Sequence, residues 1–278
     1  PGSRHPMAPR RTALAGWRGI LAMLACIVPV FLGFILPALI LLKFAARHFE
    51  DILSPSYFNA MWHSFTLSLT ASLVVVVLGL ILAYAYRSQS GRKISNLLRL
   101  ASVGYAMPGT VLGIGVLIPL AYFDNSVDAF MRSSFGVSTG LLLSGTITAI
   151  IFAYAIRFLA ISFGSLESGL EKVTPNLTFA ARTLGRTPLR TVLEIHLPIL
   201  RPALVTATLL VFVDCMKELP ATLILRPFDF ETLATLVYLL ASLGQLEESA
   251  APALTIVAAG LIPIILLTRN LRIRESFR

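Results

Sequence analysis

Charged residues inside apolar stretches are the residues of this chain best suited to do chemistry. Asp214, Lys217 and Glu218 lie near the end of one stretch, and Arg157 lies within another. Each charge at a bilayer centre costs about 2.5–3.5 kcal/mol, so it needs a partner or water. Lys217 can reach Asp214 across a turn, and Asp214 and Glu218 share a face of a continuous helix. A self-neutralising cluster that packs the bundle and a polar lining of a translocation pathway both fit. We favour the lining, reinforced by the helix break that Pro220 imposes.

The spacing of the other reactive side chains matches no common catalytic motif. The four histidines form no HExxH pair, and no GxSxG turn is present. Every lysine follows a residue other than glycine, whereas a P-loop needs Gly-Lys. We therefore expect no catalytic residues, no metal ligands and no nucleotide site in this chain.

Composition indicates a membrane protein. Of 278 residues, 56% are hydrophobic and 13% charged, and the mean hydropathy is +0.81. The net charge of +9 is spread over short loops between apolar runs, whereas a nucleic-acid binder gathers its basic residues on one soluble surface. A lipid bilayer is therefore the expected environment, and no nucleic-acid partner is expected.

The apolar runs predict an all-α integral membrane fold with six spans and cytoplasmic termini. Arginine and lysine concentrate in alternate loops and at both termini. Because cytoplasmic loops carry an excess of these residues, this pattern places both termini in the cytoplasm. The run 231–243 is too short to cross and predicts an amphipathic helix at the external interface, capped by Asp229. The expected division is a basic leader or inter-repeat linker at 1–19, a membrane domain at 20–268 and a basic tail at 269–278. The predicted spans are 20–42, 62–86, 100–122, 140–163, 199–219 and 249–268.

The loop 164–201 predicts two short helices. Thr174-Pro175 is a helix start, Gly185 is a left-handed stop, and Thr187-Pro188 is a second start. This periodicity is equally compatible with a simple connecting loop and with a surface that docks another protein.

Motif spacing in this loop favours docking. The loop resembles the EAA loop of ABC importer permeases, whose pattern is EAAxxxG, nine residues, then IxLP. The resemblance implies a cytoplasmic coupling helix that seats in an ATPase dimer, where ATP and Mg bind, while this chain holds no cofactor. Phe179 stands where the family usually has glutamate. Six positions match: Ala180, Ala181, Gly185, Ile195, Leu197 and Pro198. Together with Phe179 at the departing position, they are the expected residues of the ATPase-coupling loop.

The third span contains helix-breaking residues. Pro108 removes a backbone hydrogen bond, and Gly109, Gly113 and Gly115 permit close approach, so this span should be kinked and tightly packed. We expect Pro108 and Gly109 to mark a hinge near a gate.

Two segments resemble permeases of the ferric-iron importer group: 102–110, and 214–222 continuing to 228. That resemblance implies a bacterial inner membrane location, an extracytoplasmic binding protein, and either a second permease half in one polypeptide, this chain being the C-terminal half, or a separate dimerising subunit. It implies ferric iron as the solute, with thiamine, polyamine and phosphonate as alternatives. An ion-coupled secondary transporter is more remote, because no inverted repeat is evident.

Overall fold

The chain folds into helices joined by turns. The computed structural model describes residues 16–48, 54–88 and 101–275, with the backbone alone at 88 and 266–275. A helical stretch at 101–106 precedes α3. The helices are α1 (Trp17–Arg47), α2 (Pro55–Ser88), α3 (Gly109–Phe135), α4 (Ile147–Leu170), α5 (Pro175–Thr183), α6 (Pro188–Met216), α7 (Pro220–Leu225), α8 (Leu233–Ser242) and α9 (Ala250–Glu275).

Five of the described helices, α1, α2, α3, α4 and α6, are long and apolar enough to cross a membrane. The predicted all-α membrane fold is therefore confirmed. The sixth predicted span, 249–268, coincides with α9, whose 26 residues would extend about 39 Å. Side chains of α9 are described only to residue 265, so the count of six stays a prediction.

Several helix bounds differ from the apolar runs. The third predicted span, 100–122, is interrupted at Met107 and Pro108 and then continues to Phe135. The fourth span, predicted from 140, begins at Ile147. Hydropathy marks only the part of a helix that meets hydrocarbon, whereas backbone hydrogen bonds carry the helix beyond it.

The predicted second loop helix is the first part of α6, which runs unbroken into the fifth span and is not a separate element. Within α6 the backbone widens to a π-turn at Val192–His196, and in α1 it widens at Phe31–Ile35. Each π-turn ends two residues before a proline, Pro198 or Pro37. Proline clashes with the carbonyl four residues before it, and the wider turn accommodates that clash.

The core lies where α2, α4 and α6 pack together. Ala71, Ala153 and Ala207, one on each helix, are 0% exposed and allow close approach of the backbones. By contrast α1 has no buried residue and packs on α9. The chain thus has a compact three-helix centre with α1 along its outside.

A buried carboxylate organises the connection between α3 and α4. Asp124 is 0% exposed, and it accepts hydrogen bonds from the backbone N–H groups of Leu143 and Ser144 and from the Ser144 hydroxyl. Because these donors surround it, the carboxylate can remain charged without water.

The short helix α8 has ten residues, about 15 Å, so it cannot span a bilayer, as predicted. Its cap differs from the prediction. Thr232, rather than Asp229, caps it through a reciprocal pair of bonds with Thr235, because α8 begins at Leu233.

The predicted division into leader, membrane domain and tail stays a prediction. Residues 1–15 of the leader and 276–278 of the tail lie outside the described residues. The same holds for the basic residues Arg92, Lys93 and Arg99 of the loop between the second and third spans.

A matched pair of glycine variants tests the packing around the 101–106 helix. A Cβ at Gly104 would lie 2.2 Å from the backbone oxygen of Ile156, whereas a Cβ at Gly115 would meet nothing within 4 Å. Gly104→Ala should therefore lower the free energy of unfolding by about 1–3 kcal/mol, and Gly115→Ala should leave it nearly unchanged. Thermal unfolding of the purified protein measures both; equal midpoints would contradict the packing.

Candidate functional site

A buried ion pair joins α4 to the segment after α6. Arg157 Nε lies 3.1 Å from Glu218 Oε2, with side-chain exposures of 19% and 8%. This contact lacks hydrogen-bond geometry, so its attraction is electrostatic. Arg157 lies about 15 Å along α4, near the middle of a membrane-spanning helix. Each charge therefore finds its neutralising partner where hydrocarbon would not solvate it.

Arg157 also donates a hydrogen bond to the backbone at the helix break before α3. Arg157 Nη1 donates a hydrogen bond of 2.7 Å to the Met107 carbonyl. Pro108, with φ −57° and ψ 135°, is extended and separates the 101–106 helix from α3. Without this hydrogen bond the Met107 carbonyl at the break would be unsatisfied. One guanidinium therefore both satisfies this carbonyl and neutralises the Glu218 carboxylate.

Gly109 meets Glu218 and Pro220 at this point. A Cβ on Gly109 would lie 2.6 Å from Glu218 Oε1 and 3.1 Å from Pro220 Cβ, so a side chain here would displace the carboxylate. Gly113 likewise faces Ile224, as the predicted tight packing requires. A Cβ on Gly115 would meet no described atom within 4 Å, so the predicted close approach was wrong for that glycine.

The charges at 214–218 divide into two pairs. Lys217 Nζ binds Asp214 Oδ1 at 2.7 Å, as predicted, and Lys217 is 63% exposed. The shared helical face of Asp214 and Glu218 was wrong, because α6 ends at Met216 and Glu218 lies in the following break. Pro220 begins α7 at its first turn, so the predicted helix break is present just before it.

Hydroxyl groups extend the polar network. The Thr222 hydroxyl donates to the Glu218 carbonyl at 2.6 Å, and Tyr154 Oη lies 2.6 Å from the same hydroxyl. Met107, Gly109, Arg157, Glu218 and Thr222 together form what we call the ion-pair node.

The α5 helix ends in a rigid turn. Gly185 has φ +75°, the predicted left-handed stop. Its N–H bonds the Arg182 carbonyl, and the Arg186 N–H bonds the Ala181 carbonyl, which completes a Schellman motif. At the start of α5, Thr174 makes no side-chain cap bond, whereas the Thr187 hydroxyl does accept from the Arg190 N–H. The predicted hydroxyl cap is therefore present at the second start and absent at the first.

The α5 surface divides into an inner and an outer side. Ala181 is 2% exposed and packs against its own chain, whereas Phe179 is 60% exposed and Ala180 is also exposed. Leu184, just after the helix, is 81% exposed. The outer side is thus apolar and aromatic in place of the family's glutamate.

The remaining motif residues lie on α6. Ile195 and Leu197 are half-buried and Pro198 is exposed. Between them, His196 is buried and bonded to both α5 and α2, through Thr178 and Tyr84.

Sequence reasoning missed two roles. Arg157 stood alone in a predicted span, and a lone intramembrane charge signals a partner, but that partner lies far along the chain. His196 gave no signal, because it occupies the variable position of IxLP and matches no metal spacing. Among the described residues no three His, Cys, Asp or Glu side chains gather as a metal site would need.

Known proteins with related sequences and folds are transporter subunits. A protein named as the permease of a 2-aminoethylphosphonate transport system of Salmonella paratyphi A is 26% identical over 226 residues, covering 81% of this chain and 79% of its own length. An Fe(3+)-transport system permease of Haemophilus influenzae is 29% identical over 216 residues, covering 77% of this chain and 39% of its own length. The crystal structure of a bacterial ABC transporter involved in alginate import matches with a TM-score of 0.69 at 15% identity, over 91% of this chain and 94% of that one. No family model matches the chain.

The chain is therefore similar to permease subunits of transport systems in sequence, and to an ABC transporter chain in fold. Like them it is a multi-pass membrane protein, in which the breaks at Met107–Pro108 and 217–219 interrupt the apolar helices.

The ion pair can be tested by a double-mutant cycle. Arg157→Met leaves the buried Glu218 carboxylate unpaired and should lower the free energy of unfolding by about 3–5 kcal/mol. Arg157→Met combined with Glu218→Gln should be more stable than the sum of the two single changes predicts. Lys217→Met, which breaks the exposed pair, should cost less than about 1 kcal/mol. Thermal unfolding of the purified protein compares these four variants with the wild type; strict additivity of the Arg157 and Glu218 changes would contradict the pair.

Proposed function

We propose that this permease forms one half of a translocation pathway in a bacterial inner membrane and that the ion-pair node is its internal hinge. The second half is another permease repeat or subunit. The observation that carries the proposal is that two helix breaks, at Met107–Pro108 and at 217–219, meet at one neutral ion pair in mid-membrane.

The node suits a hinge because its parts can move without exposing charge. Chain segments at helix ends absorb changes in φ and ψ, and Arg157 and Glu218 stay paired while they do so. Asp214 and Lys217 form the more exposed pair beside it and line the pathway in this proposal. Pro108, Gly109 and Pro220 define where the bending occurs.

Docking of a cytoplasmic ATPase dimer on α5 supplies the driving force. Phe179, Ala180 and Leu184 form an exposed apolar outer side, and Gly185 holds the helix at a set angle. ATP and Mg bind the ATPase, and this chain holds no cofactor. Phe179 replaces an ion pair with apolar contact, which a groove in the partner would bury. In this arrangement α5 and both termini face the cytoplasm.

The solute is ferric iron, delivered by an extracytoplasmic binding protein. The two motifs at 102–110 and 214–228, together with the Fe(3+)-transport relative, support this assignment. Import of 2-aminoethylphosphonate is the second candidate, supported by the Salmonella relative, which the match covers over most of its length.

The docking role predicts a specific effect of strain at Gly185. Gly185→Val places a β-branched residue at φ +75°, and Gly136→Val places one at φ +67° at the far end of α3, with nothing within 4 Å of either Cβ. Left-handed backbone costs about 1–2 kcal/mol for such residues, so the two variants carry similar strain. Gly185→Val should reduce ATPase co-purification about tenfold, whereas Gly136→Val should not.

The side of the membrane is tested with a single accessible cysteine. In a Cys26→Ser background, Ala180→Cys should react with a membrane-impermeant maleimide in inside-out vesicles and not in intact cells. Cys215 is 3% exposed and should stay unreactive. Labelling of residue 180 only from outside would overturn the docking proposal.

The substrate assignment is tested by ATP-dependent uptake. The permease, reconstituted with its ATPase and binding protein, is offered ferric iron, 2-aminoethylphosphonate, thiamine and putrescine in separate assays. We expect uptake of iron alone. Uptake of another solute without iron would replace this assignment while leaving the permease function intact.

A further inference from the structure

A buried histidine joins three helices at the base of α5. His196 is 5% exposed. Its Nδ1 lies 3.1 Å from Tyr84 Oη on α2, and its Nε2 lies 3.1 Å from Thr178 Oγ1 on α5. Its ring stacks on Tyr84, with centroids 5.9 Å apart and an angle of 10° between the planes.

Both bonds can exist at once because hydroxyl groups donate and accept. A neutral imidazole has one N–H donor and one acceptor nitrogen, so one hydroxyl accepts while the other donates. Loss of either partner would leave a buried ring nitrogen unsatisfied. The geometry therefore holds α5, α6 and α2 in one arrangement.

Other contacts between α5 and the spans are sparse. Ala181 is the one buried residue of α5. A cavity of about 340 Å³ opens beside the histidine, lined in part by Thr178, Arg182 and Tyr84. Because α5 is not packed flush against the spans, a directional link matters more here than in a filled core.

His196 lies on the helix that leads to the ion-pair node. His196 ends the π-turn Val192–His196, and Leu197–Met216 follows without interruption up to the break that holds Glu218. A displacement of α5 that pulls on His196 therefore acts on the rod that leads to the ion-pair node.

We infer that His196 is a positioning residue that transmits movement of α5 to α2 and α6. This rests on the proposed docking of an ATPase on α5. The histidine contacts neither solute nor nucleotide; it acts by keeping α5 attached in the correct orientation. Loss of the His196 hydrogen bonds should uncouple ATP hydrolysis from transport, while the ATPase still docks on α5.

Four variants isolate the two bonds. His196→Phe keeps an aromatic ring for stacking but removes both bonds, whereas His196→Gln keeps a donor and an acceptor. Thr178→Val and Tyr84→Phe each remove one hydroxyl with little change of shape. Thr206→Val is the matched control, because within the described part of the chain the Thr206 hydroxyl bonds the Pro202 carbonyl of its own helix and no other element.

The experiment measures solute taken up per ATP hydrolysed by the reconstituted complex, using the solute that the wild type transports. His196→Phe should lower this ratio about tenfold while ATPase co-purification stays at the wild-type level, since each lost bond contributes roughly two- to tenfold. Thr178→Val and Tyr84→Phe should lower it by about threefold, and His196→Gln should recover part of the loss. Thr206→Val should match the wild type.

Two results would overturn the inference. One is an unchanged ratio in His196→Phe; the other is equal loss of assembly and uptake in the two single-hydroxyl variants with the ratio preserved, which indicates a structural role alone. Failure of the proposed function looks different, because Ala180→Cys in an otherwise unchanged chain would then form no cross-link to the ATPase. If that variant does cross-link and His196→Phe leaves the ratio unchanged, only the histidine link is removed.

Discussion

Satisfying charge and backbone polarity away from water is the constraint on which this permease depends. A helix break in mid-membrane leaves carbonyls without partners, and a charge there has no solvent. The Arg157 guanidinium meets both needs, because it pairs with Glu218 and donates a hydrogen bond to the Met107 carbonyl. Gly109 lacks a side chain at the point where Glu218 and Pro220 approach it from the other break.

The helix α6 connects this node to the outside of the bundle. His196 lies near its start and Glu218 lies just beyond its end, with the 20 residues of Leu197–Met216, about 30 Å, between them. Small residues such as Ala207 let α6 lie closely against α2 and α4. A close-packed rod with the hydrogen-bonded His196 near one end and the Arg157–Glu218 ion pair just beyond the other suits the transfer of movement, because packed interiors are poorly compressible.

Membrane character, the start of α5, its stop at Gly185 and the Asp214–Lys217 pair were predictable, because each depends on composition or on residues within a turn of one another. The six-span count, the membrane side of the loop and the transport roles of the site residues stay predictions. Helix bounds were less accurate, since α3 and α6 extend beyond their apolar runs. The predicted shared face of Asp214 and Glu218 failed because regular helical spacing was assumed past Met216, where the chain leaves the helix.

By itself, the sequence determined that this chain lies in a bilayer, that its long helices are apolar, and that Gly185 ends a helix, because these properties follow from side-chain chemistry and local backbone preference. Tertiary structure alone decided that Arg157 pairs with Glu218, that Gly109 fits against that carboxylate, and that His196 joins Thr178 to Tyr84. These contacts link residues far apart in the chain. Their geometry depends on how the helices pack, which no local pattern records.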